Sequence, residues 1–99
     1  AENAENLGNL FRRKMDDYIR SSNIVTLVRG KGLLNAIVIN DSEDSSTAWD
    51  ICMKLKENGL LAKPTHGNII RFAPPLVMNE EQLLECVAII EKTLKEFEK

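Results

Sequence analysis

Apolar side chains fall into short blocks along this chain, and the spacing within each block names an element. Leu7, Leu10, Phe11, Met15, Tyr18 and Ile19 recur at intervals of three and four. That spacing marks one apolar face of a helix over residues 4–20. Ser21, Ser22 and Asn23 break it. Residues 24–28 (IVTLV) are short and β-branched, which predicts a strand. RGKG at 29–32 reads as a glycine turn, and LLNAIVI at 33–39 as a second strand. The short link predicts an antiparallel hairpin.

A polar loop, NDSEDSS, follows at 40–46. Ser46 or Thr47 can cap the next helix, whose buried face is Ala48, Ile51, Cys52 and Leu55. Gly59 is placed for the left-handed position just past its end. LLAKPT at 60–65 can extend as a third strand, with Pro64 at its end or on an edge. HGN at 66–68 is a turn, and IIRFA at 69–73 is a fourth strand, stopped by Pro74 and Pro75. The last helix starts at Asn79, which with Gln82 makes a capping box, and Met78 and Leu83 can staple across it. Leu83, Val87, Ile90, Leu94 and Phe97 then hold a 4-3-4-3 spacing.

The order α-β-β-α-β-β-α predicts an α+β domain. Its sheet is mainly antiparallel, with three to four strands and helices on one face. LLNAIVI is apolar on both pleat faces except at Asn35, whereas a sheet with one wet face normally alternates. Either Ile37 and Ile39 are tolerated surface residues, or something outside the chain covers the second face. The chain opens on AENAEN with no initiator Met, within a turn or so of its first helix. Both features suit a piece of a larger protein.

Composition narrows the function classes. The 99 residues suit a single domain, 43% apolar and 28% charged, as in an ordinary soluble protein. A net charge of −2 lacks the basic excess of a nucleic-acid binder. No apolar run approaches the length of a membrane span, and no leader is visible. Cys52 and Cys86 fall inside helical patterns and read as reduced core residues. One histidine and no CxxC argue against zinc.

Arg71 is the candidate for chemistry. It stands inside the most apolar run of the chain, and residues i and i+2 of a strand share a face. If Phe72 faces the helices, Arg71 faces the open side. A guanidinium there offers a planar fork suited to a carboxylate, mounted on a rigid strand end. The alternatives are a structural salt bridge and a snorkelling surface arginine. RGKG is no phosphate cradle, because a strand rather than a helix follows it. His66 has no catalytic partner in sequence and reads as a turn residue. Glu80, Glu81 and Glu85 are first-turn and solvent-face charges. Lys63 reads as solvated, and Trp49 and Met53 as core or interface.

Two stretches go beyond pattern. VRGKGLLNAIVI (28–39) and NGLLAKPTHGNIIRFAPPLV (58–77) resemble the C-terminal part of the ornithine aminotransferases. These are class III, fold-type I, pyridoxal-phosphate-dependent enzymes. The resemblance is collinear over essentially the whole chain. It implies a small C-terminal domain packed on a large cofactor-binding domain of the same parent chain, within a homo-oligomer. The implied reaction moves the δ-amino group of ornithine to 2-oxoglutarate, giving glutamate semialdehyde and glutamate. Arg71 matches the family arginine that binds a substrate carboxylate, and a large-domain glutamate can pair with it when ornithine is bound. The resemblance to animal forms implies the mitochondrial matrix, with the cytoplasm as the alternative.

The lysine that holds pyridoxal phosphate, its aspartate partner and the phosphate-binding groups belong to the family's large domain. None of these motifs occurs here, so these residues alone are expected to bind no cofactor and to have no transaminase activity. The competing hypothesis is a freestanding αβ module that binds a small amino acid or a partner strand, its apolar face closed by self-association.

Overall fold

A computed structural model of the chain describes residues 2–73 and 78–99. Helix α1 spans Glu2–Ile19, strand β1 Val25–Lys31, β2 Leu34–Ile39, helix α2 Thr47–Glu57, β3 Lys63–Pro64, β4 Ile69–Phe72 and helix α3 Glu80–Lys95. The expected order α-β-β-α-β-β-α is present, and the four strands form one antiparallel sheet in the order β1-β2-β4-β3. Helices α1 and α2 pack on the sheet, and α3 packs against both helices.

The first hairpin differs from expectation. Strand β1 runs through Arg29, Gly30 and Lys31, so only Gly32 and Leu33 make the turn. Gly32 supplies the positive φ, +57°, that this tight reversal needs. The ladder also slips between Val25 and Leu27. That irregularity re-phases the strand, so that Val25 and Val28 are both buried despite their odd separation. Strand β3 is shorter than LLAKPT suggested. Pro64 ends it on the sheet edge, where a missing N–H costs no ladder bond.

The face assignment of β2 is corrected. Asn35, Ile37 and Ile39 point into the core, while Leu34, Ala36 and Val38 point outward. A buried Asn is costly unless bonded. Here Arg12 Nη1 donates to Asn35 Oδ1 at 2.6 Å and to the Gly32 carbonyl at 3.0 Å. The same contact brings α1 onto the hairpin turn at Gly8, where a Cβ would lie 1.8 Å from the Gly32 oxygen.

Helix ends follow local chemistry. Gly59, at φ +98°, sits just past α2. Its N–H donates to Lys56 O and that of Leu60 to Leu55 O, a Schellman pair. Ser46 occupies the N-cap of α2, but its hydroxyl bonds to Asp50 rather than to the helix amides. The capping box of α3 is complete: Asn79 Oδ1 accepts from Gln82 N at 2.8 Å, and Gln82 Oε1 accepts from Asn79 N at 3.0 Å. Met78 and Leu83 are both buried, as a staple requires. The expected stop at Pro74 and Pro75 lies outside the described residues. Phe97 lies beyond the end of α3 and is half-buried.

The chain end is tied to the α1–β1 junction by one carboxylate. Glu98 Oε2 accepts from Tyr18 Oη at 2.5 Å and Ser22 Oγ at 2.7 Å, and Oε1 accepts from Asn23 N at 2.8 Å. Burial alone would raise the Glu98 pKa, but these donors outweigh it and hold the carboxyl below its usual range.

Two outcomes test this packing. Gly8→Ala should destabilise the fold by about 2 kcal/mol, read as a lowered urea midpoint, because the clash is with backbone that cannot swing away. The Glu98 contribution is present above the carboxylate's unfolded-state pKa and lost as pH falls through its lowered folded value. Urea unfolding near neutrality and again in acid should show that loss, and Glu98→Gln should flatten it.

Candidate functional site

Strand β4 lies inside the sheet, between β2 and β3, and alternates strictly. Ile70 and Phe72 are buried, and Arg71 is exposed on the opposite face. Phe72 meets the ring of Phe11 on α1, centroids 5.7 Å apart and tilted by 56°. This packing commits Arg71 to the open side of the sheet, as its sequence parity predicted.

The start of β4 is held from two directions. Asn68 O accepts from Ile39 N at 2.7 Å, and Ile69 O accepts from Thr65 N at 2.8 Å. The turn before it uses His66 at φ +65°. Gly67 then passes so close to the loop between β2 and α2 that a Cβ would lie 2.2 Å from Ser45 O. Gly67 N donates to Glu43 O, and Gly67 O accepts from Ala48 N and Ser45 Oγ. One amide at the start of α2 is thereby satisfied by the turn that launches the Arg71 strand. In the same loop Asp41 accepts from Thr47 Oγ1 at 2.6 Å and Ser42 N at 2.8 Å, and these bonds hold its carboxyl below the usual range.

Pairing across the sheet sets the neighbours of Arg71. It stands opposite Ala36 on one side and Lys63 on the other, and Ala36 stands opposite Arg29. Arg29, Ala36, Arg71 and Lys63 thus form one row across the four strands. Leu27 and Leu34 border it, 49% and 68% exposed. Sequence reasoning singled out Arg71 but read Lys63 as solvated and Arg29 as part of a glycine turn. Their alignment depends on strand register, which no local pattern carries. Among the described residues, the ion pairs join Arg20 to Asp17 and Lys54 to Glu57 and Glu96; none involves Arg71. This removes the structural salt bridge as an account of Arg71 within the described residues.

The remaining candidates have plain roles. His66 is an exposed turn residue, and Glu80, Glu81 and Glu85 face solvent. Trp49 and Met53 are exposed on α2 rather than core. Cys52 is buried and Cys86 half-buried, both free; burial pushes the Cys52 thiol up to about 11, away from nucleophilic character. An open groove of about 610 Å³ lies between α1 and α3 against Lys14, Leu84, Glu91 and Lys95, away from the sheet.

Known proteins place this arrangement. The class-III aminotransferase family model matches residues 1–94. The mitochondrial ornithine aminotransferase of Drosophila melanogaster is 58% identical over 94 residues, covering 95% of this chain and 21% of that protein. That of Rattus norvegicus is 54% identical over 97 residues, covering 98% and 21%. The solved acetylornithine aminotransferase of Elizabethkingia anophelis superposes with a TM-score of 0.93 at 70% identity, over 97% of this chain and 24% of that one. The Plasmodium falciparum ornithine δ-aminotransferase superposes at 0.88 with 45% identity, over 98% and 25%. The chain belongs to the class-III aminotransferases, and it spans about a fifth to a quarter of the length of these relatives.

The family implies pyridoxal phosphate, which needs a lysine presented in an enclosed site. Lys14, Lys31, Lys56, Lys63, Lys92, Lys95 and Lys99 are exposed, and the half-buried Lys54 is occupied by Glu57 and Glu96 at 3.7 and 3.6 Å. Among the described residues, no lysine is enclosed in the way that cofactor requires.

Arg71→Ala should leave thermal stability within about 0.5 kcal/mol of the parent sequence, because an exposed side chain without an ion pair holds little of the fold. A larger loss in a melting experiment would return Arg71 to a structural role.

Proposed function

We propose that this chain is the C-terminal small domain of an ornithine aminotransferase and that Arg71 grips a substrate carboxylate. The parent transfers the δ-amino group of ornithine to 2-oxoglutarate, giving glutamate semialdehyde and glutamate. Its large domain carries pyridoxal phosphate, which supplies the electron sink for amino transfer. The observation that carries the reading is the position of Arg71. It is a permanently charged fork on an interior strand, exposed on the sheet face the helices leave open, with no carboxylate partner among the described residues. The exposed Leu27 and Leu34 beside it support docking of the large domain on that face.

Placement follows from relatives. The Drosophila and rat proteins are named mitochondrial, which supports the mitochondrial matrix. The Emericella nidulans relative is named without a compartment, and the cytoplasm is the alternative. The parent is read as a homo-oligomer, as the family resemblance implies. A second substrate reading comes from the 70% identity to an acetylornithine aminotransferase. Rates with ornithine and with its Nα-acetyl form, measured side by side on the full-length protein, choose between the two donors.

In the full-length protein, Arg71→Ala should lower kcat/KM for glutamate and 2-oxoglutarate by roughly 2–4 kcal/mol, the scale of a lost charge-assisted grip. The visible absorption of the bound cofactor should persist. Glutamate kinetics within about twofold of the parent would remove the clamp role.

A further inference from the structure

We infer that Ser45 is a positioning residue for Arg71: its hydroxyl pins the turn that launches β4, and so fixes where the guanidinium stands on the open face. The inference rests on the reading of Arg71 as a substrate clamp. Strand β4 is only four residues long. On its edge side it has two ladder partners, Lys63 and Pro64, and Pro64 has no N–H to give. A strand so short and so lightly flanked depends on its entry turn for its exact place. Arg71 follows that turn closely, four residues after Gly67.

Gly67 is the point where the turn is gripped. Its N–H donates to Glu43 O at 2.7 Å, and its carbonyl accepts from Ala48 N and from Ser45 Oγ, both at 3.1 Å. One segment, 43–48, thus holds both polar groups of this peptide residue. A Cβ on Gly67 would lie 2.2 Å from Ser45 O and 2.5 Å from Glu43 O, so loop and turn have no slack between them. His66, beside it, keeps a φ of +65°, a conformation that a non-glycine residue holds only when its surroundings impose it. Among the described residues, the half-buried Ser45 hydroxyl is the side-chain group bonded to this turn. Its bond from Thr47 N is longer, 3.4 Å, so it serves the turn before it serves the start of α2. A two-bond grip on a carboxylate is directional, and a displacement of about 1 Å in the gripping group can cost about a hundredfold in rate.

The test is a double-mutant cycle in the full-length protein, read as kcat/KM for 2-oxoglutarate. Ser45→Ala should lower it about fivefold with Arg71 present, and should change it by less than about twofold in the Arg71→Ala background. The visible absorption of the bound cofactor should match that of the parent sequence. Ser45→Thr, which keeps the hydroxyl, should restore most of the loss. Ser46→Ala is the control, because that exposed hydroxyl bonds to Asp50 and not to the turn. Ser45→Ala without effect, or with the same loss in both backgrounds, overturns the positioning role and leaves the clamp standing if Arg71→Ala alone still cripples the reaction. Arg71→Ala without effect overturns the clamp itself, and the role of Ser45 falls with it.

Discussion

The packing of Phe72 against Phe11 decides where Arg71 points. A strand has only two faces, so burying Phe72 and Ile70 on the helix side leaves Arg71 no choice but the open side. A slip of one residue would bury a guanidinium and expose an aromatic ring, at a cost of several kcal/mol in desolvation alone. Helix α1 in turn is seated by the close approach of Gly8 to Gly32 and by the Arg12–Asn35 bond. The position of Arg71 is thus inherited from a helix–hairpin contact on the other side of the sheet.

The molecule separates its charges by layer. Its acidic residues lie on helices and loops, where Asp41 and Glu98 accept hydrogen bonds that knit loop and terminus together. Its strands carry cations only. On an exposed surface at physiological salt the mutual repulsion of Arg29, Arg71 and Lys63 is small, because water and counterions screen it. Once a carboxylate enters and a covering surface excludes water, the same charges act in a lower dielectric and gain strength. An arrangement nearly neutral for folding can therefore be decisive for binding.

The two-sided apolar character of β2 also finds its account in this layering. Ile37 and Ile39 belong to the core, and the outward residues are Leu34, Ala36 and Val38. Exposed leucines flanking a cationic row give this face an apolar rim around a charged centre.

Local chemistry in the sequence determined the helices, their ends, and the parity of β4. The 3.6-residue period, the Asn79–Gln82 box, Gly59 and the alternation around Arg71 each act within a few residues, so each can be read without the fold. The sequence also carried a resemblance from which the role of Arg71 was expected. It put Ile37 and Ile39 on the second face, because the Asn35 amide that shares their parity reads as a surface group until Arg12, 23 residues away, is brought to it. It placed the turn at RGKG too early, because the twist and slip of β1 are set by pairing with β2. The row Arg29–Ala36–Arg71–Lys63 was invisible for the same reason. Its members come from four strands, and only the register that buries Ile37, Ile70 and Phe72 together brings them into line.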